Sequence, residues 1–334
     1  MSNFSPPLAG GVSGAGEEVM PKKFKPLDLS KIKTYSLAGR PSKVSPADFA
    51  KPGQKGASFK DFLNGLPNIL AASGLKSVIA AISAAADNKK TIILGMGAHV
   101  TKVGLNPVVI DLMERGILTC VAMNGAGIIH DAELAIAGHT SEDVAKTIDD
   151  GSFGMAEDTA VFLAKALAES QQDSDGLGQA VGRAIQEKNL PFSKQSILAA
   201  GFRLGIPVTI HVAIGTDIIH MHPHFDAART GIATHRDFRL FSSVVATLEH
   251  GVYLNVGSAV ILPEIFLKAV ALARNLGHTL DQFTTVNLDM VTHYRPLTNV
   301  INRPTAKGGK GINLVGHHEI MLPLIAAGVI EQLG

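Results

Sequence analysis

Six clusters in this chain set glycine, histidine and carboxylate residues directly after short apolar runs. Residues 205–224 are the clearest case: Val208-Thr209-Ile210-His211-Val212-Ala213-Ile214 empties into Gly215-Thr216-Asp217, with His220, His222 and His224 close behind. The others are Gly95-Met96-Gly97-Ala98-His99, Asn124-Gly125-Ala126-Gly127 continuing to His130 and Asp131, Asn255-Val256-Gly257-Ser258, Asn287-Leu288-Asp289, and Gly316-His317-His318-Glu319. Glycine turns let backbone amides approach a phosphate without side-chain obstruction. Imidazoles titrate near neutral pH and suit proton transfer. The glycine loops fall short of the full dinucleotide fingerprint, since His99 and Val100 stand where its third glycine would be. Several such loops in one chain favour an extended dinucleotide. Neutral imidazoles from His211, His220 and His222 with Asp217 form an alternative, metal-dependent set, with hydrogen-bonded site or cap histidines preferred. Lys307-Gly308-Gly309-Lys310 reads either as a solvated basic loop or as an amine nucleophile on a flexible lid. No G-x-S-x-G elbow and no Walker-type phosphate loop occurs.

Short apolar runs bounded by glycine suit strands covered on both faces, as in parallel sheets. Helical patterns alternate with them over 75–87, 106–115, 141–149, 156–170, 176–187, 194–204, 233–249, 263–275 and 318–333. Alternation of this kind implies right-handed crossovers and a doubly wound, mostly parallel α/β sheet with helices on both faces. In such sheets ligands bind outside the carboxyl ends of the strands, where all six clusters fall. One composite site is therefore expected. Ser141-Glu142-Asp143 supplies a helix cap followed by first-turn acids, and Pro263 suits a first helical position.

The bulk properties set the bounds. The chain has 334 residues, 46% of them hydrophobic, which is ample for a large core. With 30 basic and 29 acidic side chains and a formal charge of +1, no basic stripe offers a nucleic-acid footprint. Apolar runs are too short or interrupted to suggest a membrane span, and the amino terminus lacks the order of a signal peptide. Cys120, the single cysteine, reads as a buried inert thiol and suits a reducing cytoplasm. Residues 1–56, rich in proline, read as an extended arm draped on a neighbouring subunit, and 57–334 as one α/β domain.

The order of the clusters resembles the deoxyhypusine synthase family. Leu94-Gly95-Met96-Gly97-Ala98-His99 with Val103-Gly104-Leu105 is similar to that family's L-G-Y-T-S-N loop and following S-G-V. Asn124 to Asp131 is similar to T-T-A-G-G-V-E-E-D, Ile206-Pro207-Val208 through Asp217 to the I-P-V strand and T-D-G turn, and Asn255 to Ser258 loosely to L-G-G-G. Ile320 to Leu324 resembles the final S-L-V-F-P-L helix, which sets His317 and His318 beside the family's dinucleotide contacts. The resemblance implies NAD, a homotetramer, and hydride chemistry in which an amine is oxidised to an imine that is then attacked by another amine or hydrolysed. It places Gly95, Gly97, His99, Asn124, Gly125, Ala126, Asp217, Gly257, Ser258, His317 and His318 against the cofactor.

The departures from the family bear on the substrate. The chain has no tryptophan for the W-G-K element that carries the family's catalytic lysine, and the loop is shortened around Lys307 and Lys310. The acidic D-G-S-D-S-G loop has no counterpart, and Arg295 and Arg303 favour a carboxylate or phosphate. The reading is an NAD-dependent transferase, oxidoreductase or deaminase acting on a small-molecule amine or amino acid rather than a protein lysine. Asp131, Glu264, Asp289 and Glu319 would orient the ammonium and Arg295 an acid group, with His220, His130, His293, Lys307 and Lys310 as catalytic candidates. The rival classes are a histidine-metal hydrolase and a non-catalytic nucleotide-binding oligomer.

Overall fold

The computed structural model describes residues 24–170 and 175–334. Residues 1–23, the first part of the predicted arm, lie outside the described residues. Contacts divide the chain into Met1–Lys43 and Val44–Gly334. In the first unit, the 3₁₀ turns Leu29–Lys31 and Leu37–Gly39 are capped by Asp28 and Ser36, and the apolar side chains of Phe24, Leu27, Ile32 and Tyr35 are exposed.

The second unit begins with helices α1 (Phe59–Gly65) and α2 (Leu70–Asp87), followed by strand β1 (Ile92–Met96). Then come α3 (His99–Lys102), α4 (Asn106–Glu114), β2 (Cys120–Asn124), α5 (Gly125–Ala137) and the single turn α6 (Val144–Thr147). Helices α7 (Glu157–Ala168), α8 (Leu177–Glu187) and α9 (Ile197–Leu204) lead to β3 (Val208–His211), then α10 (Ala227–Val245) and β4 (Val252–Val256). The chain ends with α11 (Ile261–Asn275), β5 (Thr284–Asp289), the turn α12 (Tyr294–Pro296) running into a π-helical turn at Leu297–Asn302, β6 (Lys310–Val315) and α13 (His318–Leu333).

The six strands form one sheet in the order β3-β2-β1-β4-β5-β6, and every pairing is parallel. The expected doubly wound sheet is present, with the strand order reversing between β1 and β4. Strands β1, β2 and β4 are buried on both faces, except for half-buried Asn124 at the end of β2, which is why their sequences run apolar instead of alternating. Leu94, Met96, Val121, Met123 and Leu254 pack into one core, and Ile93, Ala122 and Tyr253 into the other, where Tyr253 stacks on Phe266. Cys120 is buried in the second core, and burial pushes its thiol pKa up, so it stays protonated.

Two buried polar devices fix the frame. Asn255, Asn287 and Asn313 are in register on β4, β5 and β6 and form a side-chain ladder with links of 2.8 Å. Each such bond contributes about 1 kcal/mol, and the ladder locks the strand ends that carry the site. Asp237 of α10 accepts from the amides of Gly178 at 3.0 Å and Ile210 at 2.9 Å, joining α10 to the start of α8 and to β3. Burial pushes its carboxyl pKa up to about 7 against those bonds. Its stabilisation is therefore complete below the unfolded pKa near 4 and is lost as pH rises to about 7. Asp237→Asn keeps one acceptor for both amides and carries no charge. Thermal melts should show this variant more stable than wild type by about 2 kcal/mol near pH 8, with the difference vanishing below about pH 4; a pH-independent difference would contradict the assignment.

Two sequence expectations are corrected. The helix expected over 141–149 shrinks to the single turn of α6, because Ser141 adopts φ 71° and breaks the run that its cap chemistry suggested. Helix α10 starts at Ala227 instead of 233, since the Asp226 carboxylate caps the amide of Arg229 at 2.9 Å.

Candidate functional site

The loops after β1 and β4 meet at the reversal of strand order. The Gly97 amide donates to the Val256 carbonyl at 2.9 Å, and a Cβ on Gly97 would stand 2.0 Å from the Gly257 carbonyl oxygen. Two backbones pass here with no room for a side chain. Gly257 adopts φ 65°, and a Cβ on it would lie 2.8 Å from the His318 ring. Beyond these glycines, His99 at the start of α3 and His318 at the start of α13 meet Nδ1 to Nδ1 at 2.9 Å, with rings edge to face. Only complementary tautomers make this a hydrogen bond, so at most one ring carries a proton on Nδ1. Burial holds the His318 pKa below its ordinary value, with the charge of Asp289 opposing it and that of His99 reinforcing it. His318 is 1% exposed, and its Nε2 has no hydrogen-bond partner, the Asp289 carboxylate standing 3.8 Å away. His293 approaches the other oxygen of Asp289 at 4.0 Å.

A second group of residues gathers where β2 and β3 end. Asn124 caps α5 through the Gly127 amide at 3.1 Å. Gly125 has no Cβ because the Asp217 carboxylate fills that position, 2.0 Å from where the Cβ would stand. The protein's own carboxylate thus lies against the first residue of α5, where the glycine loop suggested a phosphate. Burial pushes the Asp217 carboxyl pKa up, opposed by His220, Thr216 and His130. His220 accepts the amides of Gly215 at 3.0 Å and Asp217 at 3.1 Å on Nδ1, which fixes its neutral proton on Nε2. That Nε2 is buried and unpartnered, 3.9 Å from Asp217. His130 and Ala126 line an adjoining cavity of about 160 Å³ that Asp217 also walls.

Several of the expected site residues do other work. Asp131 is fully buried and accepts from Asn106 Nδ2 (2.9 Å), Ser196 Oγ (2.5 Å) and the amides of Ile197 (2.8 Å) and Leu198 (3.2 Å). It anchors the start of α9 and has no capacity left for a substrate. Gly95 lies within β1, where a Cβ would meet the Tyr253 hydroxyl at 2.5 Å, and the Ser258 hydroxyl accepts the Leu262 amide at 3.1 Å as α11 begins. Both are packing positions. Glu264 is bound to Asn299 (2.8 Å), Arg295 (3.4 Å) and Lys268 on the outer rim, and His317 and Glu319 are exposed, 3.7 Å apart.

The lysines are at the wrong end of the sheet. Lys310 begins β6 and Val315 ends it, so at ~3.3 Å per residue Lys310 lies roughly 16 Å from the carboxyl edge. Lys307 precedes it in the same loop. Neither reaches His99, His318 or Asp217. The metal set does not form either: among the described residues no three His, Cys, Asp or Glu side chains converge. His211 is buried against Phe241 with Nε2 on Thr209 Oγ1, and burial lowers its pKa to about 3, while His222 stacks on His224.

The sequence reading passed over Glu133 and Thr140. The Thr140 hydroxyl donates to Glu133 and lies 2.7 Å from His130 Nδ1. The i,i+3 spacing of His130 and Glu133 was the available signal, but it speaks only once 125–137 is known to be helical.

No protein-family model matches the chain. A curated deoxyhypusine synthase-like protein from Chlorobaculum tepidum is 21% identical over 247 residues, covering 67% of this chain and 67% of that protein. The chain is thus remotely similar to a deoxyhypusine synthase-like protein. Among solved structures, the arginine dihydrolase ArgZ, from the ornithine-ammonia cycle in cyanobacteria, matches 78% of this chain and 33% of its own at a TM-score of 0.52 and 14% identity. AgrE, in a ternary complex with ornithine and NAD+, matches 77% of this chain and 33% of its own at a TM-score of 0.52 and 12% identity. The chain spans about a third of the length of each, and at these identities the likeness shows a shared Rossmann-like fold.

Proposed function

We propose that the protein is an NAD-dependent enzyme of amine or amino-acid metabolism that holds its cofactor across the carboxyl edge of the sheet, where β1 and β4 diverge. The observation that carries this reading is the meeting of Gly97 and Gly257 at the reversal of strand order, beside the buried, unpartnered Nε2 of His318. Open α/β sheets bind nucleotides in that crevice. The residues present fit the group: backbone without side chains lets a dinucleotide approach closely, and His318 Nε2 supplies a buried polar atom outside hydrogen-bond distance of the Asp289 carboxylate, 3.8 Å away. The naming of the curated relative and the NAD+ and ornithine bound by AgrE support the same reading.

When bound, oxidised NAD supplies a hydride acceptor. The chain's own residues must do the rest. The pair of His99 and His318 fixes both imidazole rings at the crevice, and Asp289 stands behind His318. Asp217 offers a carboxylate to an ammonium group at the end of β3, in a setting where burial strengthens the attraction. Lys307 and Lys310, the lysines of the loop that resembles the family's lysine element, lie at the opposite end of β6 from these residues, which favours oxidation or deamination of a small amine over transfer to a protein lysine. A cytoplasmic homotetramer, with the amino-terminal arm lying on a neighbouring subunit, belongs to the same proposal.

The experiment is a panel of amines and amino acids, ornithine and arginine included, incubated with NAD+ and followed by nicotinamide absorbance. Substrate-dependent reduction is expected for at least one member. A protein that binds NAD yet transfers hydride from no member would be the nucleotide-binding oligomer instead.

A further inference from the structure

We infer that His130 is a general base, oriented by Glu133 through the Thr140 hydroxyl, at the cavity that α5 shares with residues 141–153 and 216–218. Helix α5 sets His130 and Glu133 three residues apart on one face. The Thr140 hydroxyl has one proton and gives it to Glu133 Oε2, so it must accept at its 2.7 Å contact with His130 Nδ1. The His130 proton is therefore on Nδ1, and the lone pair is on Nε2. Glu133 also accepts from Thr159 Oγ1 at 3.3 Å. Burial raises its pKa, but the bonds to His130, Thr140 and Thr159 outweigh burial and hold it below its ordinary value, so it stays ionised as the acceptor this arrangement needs.

Among the described residues Nε2 of His130 takes no hydrogen bond, and the ring is about one-sixth exposed, with side-chain exposure of 17%. The charged groups facing the cavity with it are Glu133 beside it on α5, Lys102 from α3, Glu142 from the loop before α6, and Asp217 from the segment after β3. Glu133 is committed to the Thr140 and Thr159 hydroxyls. Glu142 is committed to the Gly154 amide at 2.9 Å. Asp217 therefore remains to hold an ammonium group while His130 Nε2 removes its proton. The N–H bond breaks, its electron pair stays on the amine nitrogen, and the proton passes to Nε2. The resulting imidazolium charge is balanced by Glu133 through Thr140. The free amine is the form from which hydride can leave the adjacent carbon. The amine as substrate rests on the function proposed above, whereas the arrangement of Glu133, Thr140 and His130 stands without it.

The test is ¹⁵N NMR of the full chain labelled at its histidines, with His130 assigned by the signal lost in His130→Gln. The expected result is an Nδ1–H tautomer for His130, a mixed tautomer in Thr140→Val, and recovery in Thr140→Ser. An Nε2–H tautomer in the wild type, which needs no variant to fold, overturns the arrangement, as does an unchanged tautomer in Thr140→Val. Where an amine substrate is in hand, His130→Gln should lower kcat about 10²-fold while NAD affinity stays within about twofold. A full kcat would overturn the base role. Loss of NAD binding by the wild type would instead strike the cofactor reading and leave the tautomer result standing.

Discussion

Asp131→Ala lowers the unfolding free energy by about 4 kcal/mol, because it strips the acceptor from two buried amides and a buried hydroxyl, at ~1–3 kcal/mol for each group left unpaired. The amides of Ile197 and Leu198 open α9 and have no partner within the helix. The Asn106 amide keeps its bond to the Gln195 carbonyl at 2.8 Å, which limits the loss. Asp131→Asn recovers only part of it, about 2 kcal/mol, since one acceptor becomes a donor aimed at other donors. Denaturant midpoints at constant slope decide the matter. A midpoint equal to wild type, with only KM raised, would return Asp131 to the substrate role that its sequence position suggested.

Gly97→Ala carries the second large effect. A methyl 2.0 Å from the Gly257 carbonyl oxygen meets backbone, which cannot rotate away, so the loops after β1 and β4 must separate. Overpacking of this kind costs about 3 kcal/mol, and NAD affinity should fall at least about tenfold as the crevice deforms. Gly104→Ala is the control. Gly104 has φ 79° and open space where a Cβ would stand, so its substitution costs about 1 kcal/mol through backbone strain alone and leaves NAD affinity unchanged. Equal losses at the two glycines would mean that close approach at Gly97 has no special role.

The sheet was legible in the sequence because strands buried on both faces write themselves as continuous apolar runs, and all six appear where those runs end in glycine or a polar residue. The carboxyl-edge location of the six clusters followed from the same pattern. What one dimension conceals is partnership. Nothing near Asp131 in sequence announces that Asn106, Ser196 and the start of α9 converge on it. Lys307 and Lys310 sit at the start of a strand, but only the parallel pairing of β6 shows that this end is remote from the carboxyl-edge clusters. Helix α5 went unread because its first three residues, Gly125-Ala126-Gly127, look like a loop, and with it went the pairing of His130 with Glu133. The Asn255, Asn287 and Asn313 ladder was visible only as three unrelated asparagines until the strand register aligned them.

Calorimetric titration of the full chain with NAD+ bears most directly on the cofactor at the meeting of Gly97 and Gly257. The expected result is saturable binding at one site per chain, weakened at least about tenfold by His99→Ala, which removes the ring that fixes His318. A flat titration at millimolar NAD+, from a wild-type protein that melts cooperatively, would contradict the central claim.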